Sequence, residues 1–175
     1  LGSIKKSNLL KKEDIMKKLL VVLSVIFLII AVAGTGILTW RDFRDGSDLA
    51  KLEKEMDKAS TQSGVSKSMF KEALKQKGLD ISGSRFTFTG IVTALTCLIC
   101  LAVFILLFMK KPDISVYAGI GLIIFTIIMI LVNPGYDTGP YGPAPARTLA
   151  IIIGVAAILG AICSITLAKK RQKGA

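Results

Sequence analysis

The chain has 175 residues, 52% of them hydrophobic, a mean hydropathy of +0.62 and a formal net charge of +11. Its apolar residues are mostly Leu, Ile, Val and Ala in long unbroken runs, which excludes an ordinary soluble domain of this size. The charge allows three meanings, namely nucleic acid, an anionic membrane surface or a membrane-topology signal, and its placement along the chain decides among them.

Residues Leu1 to Ile15 are a polar, lysine-rich leader. Met16-Lys17-Lys18-Leu19-Leu20 reads as a bacterial start, a short basic segment running straight into an apolar one. The leader is therefore either a translated upstream remnant or a basic cytoplasmic arm. The first apolar run, Leu19 to Trp40, is long enough to cross a bilayer, for which about 20 residues suffice. It has two readings. Ala31-Val32-Ala33 matches the small-x-small site of a cleaved signal peptide. Apolar character that continues to an interfacial Trp40 matches an uncleaved helix, and this reading is preferred.

Arg41 to Arg85 is the one sizeable polar segment, with ten basic and eight acidic residues. Leu49, Leu52, Met56 and Ala59 recur at helical spacing, a break is expected at Ser60–Gly64, and Val65, Met69, Phe70, Ala73 and Leu74 recur again before a stop at Gly78. The pattern predicts two short amphipathic helices folded as a hairpin. Further spans are predicted over Phe86–Met109, Ile114–Val132 and Thr148–Ala168. The tight turn Lys110-Lys111-Pro112-Asp113 makes the second and third an antiparallel pair. Four prolines and three glycines among the fourteen residues from Asn133 to Ala146 exclude a regular helix there. A basic tail follows from Lys169 to Ala175.

The positions of Lys and Arg set the orientation. With both termini in the cytoplasm, cytoplasmic segments hold twelve basic and three acidic residues, and the outer segments eleven and nine. Without the leader, eight basic residues still face one acid. The expected fold is thus an all-α membrane protein with four transmembrane helices, N-in and C-in, and a short extracytoplasmic helical hairpin between helices 1 and 2. The polar loop then lies outside, away from DNA, so no nucleic acid is expected as a partner. This layout resembles claudin and tetraspan proteins in topology. The outer loop has neither their paired cysteines nor the claudin tryptophan motif, so none of their function is carried over.

The chain has no histidine, and its predicted spans hold no internal Asp, Glu, Lys or Arg. Proton relays and ion-coupled transporters place ionisable groups in the membrane, and hydrolases and metal centres need acids, histidines or a nucleophile with its base. The expectation is a non-enzyme with no cofactor and no metal. Cys97 and Cys100 form a C-x-x-C pair inside an apolar run and read as packing residues rather than redox groups, as does Cys163. Small and weakly polar residues recur at helical spacing. Thr89, Thr93 and Cys97 lie on one face of the second span, and Ala156, Gly160 and Ser164 on one face of the fourth. Such stripes let helices approach and hydrogen-bond, within the chain or with a partner. Tyr136 and Tyr141 in the Pro/Gly loop suit interfacial anchoring or an outer contact. The expected partners are membrane lipids and another membrane protein or a second copy. The expected role is a non-catalytic accessory, assembly or immunity-type subunit of the bacterial inner membrane. The alternative is a homo-oligomeric pore or small transporter lined by the Thr/Cys face of the second span.

Overall fold

The computed structural model describes residues 2–63, 68–69, 72, 83–109, 111–133 and 146–173. Four helices account for nearly all of them, α1 (Gly2–Ser63), α2 (Gly83–Phe108), α3 (Pro112–Val132) and α4 (Ala146–Lys173), with no strand among the described residues. All four are long and apolar enough to cross a membrane.

The buried positions explain why these helices bundle. In α1 they are Ser24, Leu28, Ala31, Thr35, Leu38 and Asp42; in α2 they are Phe86, Thr89, Thr93, Thr96, Cys100, Val103 and Leu107. In α3, Ser115, Gly119, Leu122, Thr126 and Met129 are buried, with Asn133 beyond its end. In α4, Ala150, Gly154, Ala157, Ala161, Ser164 and Ala168 are buried. Each series alternates steps of three and four, the 3.5-residue repeat of helices packed at a shallow left-handed angle. Ile and Leu occupy the outward positions, as at Ile26, Ile30, Ile37, Leu98, Ile105, Ile124 and Ile152, all exposed. Small and weakly polar residues share the interior with Leu28, Leu38, Phe86, Val103, Leu122 and Met129, while many large aliphatic residues face outward. That distribution suits a lipid surround, where close packing rather than hydrophobicity joins helices.

α1 packs on α2 and α4, and α3 packs on α2 and α4, so the helices form a ring in chain order, with α1 and α3 out of contact across the diagonal among the described residues. Three glycines mark the tightest approaches. A Cβ on Gly34 would lie 2.7 Å from Ile153, one on Gly119 would lie 2.6 Å from Ile165, and one on Gly154 would lie 2.7 Å from Ile130. A middle layer joins Leu28, Ala31, Cys100, Val103, Leu122, Ala157 and Ala161, and a second layer joins Leu38, Val92, Met129 and Ala150. Hydroxyls inside these layers mostly bond back to their own helix. Thr35 donates to the Ala31 carbonyl (2.7 Å) and Thr96 to that of Val92 (2.9 Å), whereas the buried hydroxyls of Thr126 and Ser164 have no hydrogen-bond partner among the described residues.

One end of the bundle, here the basic end, gathers Met16 and Lys17, the α2–α3 turn and the last turn of α4. Arg171 donates to the Leu107 carbonyl at 2.9 Å, covering an otherwise unsatisfied carbonyl in the last turn of α2. Pro112 begins α3 at a position that needs no amide hydrogen, with Asp113 in its first turn. At the far end, Asn133 closes α3 by donating from Nδ2 to Met129, and Arg147 donates from Nε to the Asn133 carbonyl at 3.0 Å.

The structure departs from the sequence expectation in the polar segment. α1 does not stop at Trp40, and Arg41–Ser63 continues it without a break. What the sequence suggested as a first hairpin arm is therefore an extension of the first span. The break expected from Ser60 does not fall there. Ser60 and Thr61 both donate to the Asp57 carbonyl, at 3.1 and 2.7 Å, and hold the last turn helical. The hairpin turn after Ser63 and most of its second arm, Val65 to Gly78, lie outside the described residues.

Candidate functional site

The heptad stripe of α1 runs on past the end of its hydropathy. Beyond Leu38 it places Asp42 and then Gly46 on the same buried face. α2 continues to match it. Val92 shares a layer with Met129 and Ala150, near the ends of α3 and α4, while α2 extends nine residues further, to Gly83, roughly 14 Å of helix. Along this stretch α1 and α2 interlock. A Cβ on Gly46 would meet Phe86 at 3.3 Å, and one on Gly90 would meet the ring of Phe43 at 3.2 Å. Each helix thus offers a glycine to the other's phenylalanine.

Asp42 lies inside this contact with 1% of its surface exposed, and the Thr93 hydroxyl is 3.1 Å from its Oδ2 and 2.9 Å from the Thr89 carbonyl. One hydroxyl proton serves both acceptors. Arg41 is also buried, and its Nε is 3.6 Å from Asp45 Oδ2, with both side chains about nine-tenths covered. Arg44 reaches Asp45 Oδ1 at 3.5 Å and sets its guanidinium 4.5 Å from the centre of the exposed Trp40 ring. Both arginines pair with Asp45, while burial pushes the Asp42 carboxyl up to about 7. A buried ion-pair cluster of this kind contributes geometry more than net stability. These pairs lie within α1 and hold a cation against an aromatic face at the rim, and the Thr93–Asp42 hydrogen bond joins α1 to α2.

Sequence reasoning placed Arg41 and Asp42 in an outer loop, whereas the structure buries both in a continuous helix and puts Asp42 within the α1–α2 contact. The signal available was periodicity. The spacing Leu28, Ala31, Thr35, Leu38 continues through Asp42 and Gly46, but hydropathy falls at Arg41 and hides it.

Each predicted stripe has residues that reach α1. Thr89 and Thr93 are fully buried, and the half-buried Cys97 directs its Sγ to the Val32 carbonyl at 3.7 Å. On α4, Ala156 is 8% exposed, Gly160 is packed against Leu28 and accepts from the Ser24 hydroxyl at 3.2 Å, and Ser164 is 2% exposed. Thr93, Cys97 and Gly160 thus meet the chain's own first helix. Tyr136 and Tyr141 lie outside the described residues. Among the described residues, no three His, Cys, Asp or Glu side chains are grouped to hold a metal ion.

The architecture is thus a heptad-packed four-helix bundle, compatible with a multi-pass membrane protein, with one interlocked helix pair at its far end. Compared with known proteins, the chain matches no family model, no curated protein and no solved structure.

Proposed function

We propose that this is a small bacterial inner-membrane protein that acts without catalysis, as an accessory, assembly or immunity-type subunit, through contact with another membrane protein. The observation that carries this reading is the rigid extension of α1. It continues for about 23 residues beyond Trp40, roughly 35 Å, and is fastened at its base by Asp42–Thr93 and the glycine–phenylalanine pairs. Half-buried Leu49 and Met56 lie along one side of it. A helix held this way presents an amphipathic face at a set height and angle, which lowers the ordering cost of docking.

The charge distribution supports the N-in, C-in orientation, with the extension outside. Retention of the first span is supported by Ser24, Leu28 and Ala31, whose burial in the bundle would be lost on cleavage after Ala33. The pore alternative has less support, since α1 covers the Thr/Cys face of α2 within a single chain.

Purification in mild detergent tests the proposal. A foreign membrane protein at fixed stoichiometry, lost on Leu49→Asp with Met56→Asp, is the expected result. A homo-oligomer that conducts ions in liposomes would overturn it.

A further inference from the structure

A cleft of about 400 Å³ opens beside the last turns of α4, lined by Ile165, Thr166, Lys169, Lys170 and Gln172. Ile165 and Thr166 belong to the final apolar turns, and the two lysines follow directly after Ala168. The cleft therefore has an apolar side toward the middle of the bundle and a cationic side at its basic end. The carboxylates described nearby are already engaged. Lys18 holds Asp14 at 2.9 Å, and Gln172 donates to Asp113. Arg171 points away to the Leu107 carbonyl. Among the described residues Lys169 has no carboxylate partner, and the Lys170 ammonium meets only the Met16 sulfur. Two ammonium groups thus stand at the edge of an apolar slot with no anion from the described chain to balance them.

We propose that this cleft is a binding site for one anionic phospholipid, its phosphate between Lys169 and Lys170 and its acyl chain along Ile165. An amphiphile matches both sides of the cleft, whereas free phosphate would leave the apolar side empty. Anionic headgroups are also the anions present at this depth, where basic clusters at helix ends attract them. The inference is independent of the proposed protein partner, because the cleft lies at the opposite end from the α1 extension.

The test reconstitutes the full chain into phosphatidylcholine vesicles containing phosphatidylglycerol, re-extracts it gently and counts retained lipid by native mass spectrometry. One phosphatidylglycerol per chain is expected. Lys169→Gln with Lys170→Gln should weaken retention roughly tenfold to thirtyfold. Lys169→Arg with Lys170→Arg should keep it, which separates loss of charge from loss of fold. Lys51→Gln with Lys54→Gln, on the far extension, should leave it unchanged. Equal retention by the double glutamine variant, equal retention of phosphatidylcholine, or displacement of the lipid by inorganic phosphate or hexaglutamate would each overturn the assignment.

Discussion

Asp42 is the residue on which the far end of the bundle depends. A carboxylate with 1% exposure is costly to bury and needs donors, and Thr93 supplies one from the neighbouring helix. Thr93→Val keeps the side-chain shape and removes that donor. It should lower stability by about 1–3 kcal/mol, the cost of leaving a buried polar group unpaired. Thr89→Val makes a useful control, because the Thr89 hydroxyl bonds only within its own helix, to the Arg85 carbonyl. Its cost should stay below about 1 kcal/mol. Denaturant titration in micelles measures both, and a double-mutant cycle of Thr93→Val with Asp42→Asn should show a coupling of about 0.5–3 kcal/mol. Equal losses for the two valine variants would mean that the interhelix hydrogen bond has no special role.

α1 combines in one helix what hydropathy divides into a leader, a span and an outer arm. Its continuity past Trp40 follows from its packing. Leu38, Asp42 and Gly46 remain on the stripe that faces α2, and α2 offers Val92, Thr93 and Phe86 in return. No proline intervenes, and the Arg41–Asp45 pair spans one turn at i, i+4. Spin labels on exposed Val22 and Lys58, with the native cysteines replaced, should report about 54 Å, the length of 36 residues in one helix. A chain bent back near Arg41 would give a clearly shorter distance and would remove the rigid platform from the proposed function. Within α2 and α4 the stripes of Thr, Ala, Gly and Ser were legible as packing surfaces from their spacing. Their common partner was not, because a small-residue stripe encodes closeness without naming the neighbour.

At the scale of the whole molecule, Met16 of α1 and the last turns of α4 meet at the basic end, where Lys170 contacts Met16, and the polar extension of α1 leaves from the other. With that basic end in the cytoplasm, membrane-impermeant thiol labelling of intact cells should modify Ser63→Cys and leave Lys170→Cys untouched. Labelling of Lys170→Cys in sealed cells would reverse the orientation and with it the side on which a partner is sought.

The sequence by itself determined four apolar runs, their lengths, the tight α2–α3 turn, the charge bias and the small-residue stripes, because each is a local property of composition and period. Only the tertiary structure decided that Asp42 belongs inside a helix contact and that α1 runs on to Ser63. The physical reason is that hydropathy measures transfer of an isolated segment into lipid. A charged residue facing Thr93 is never transferred in isolation, and its cost is set by a partner about fifty residues away in the chain.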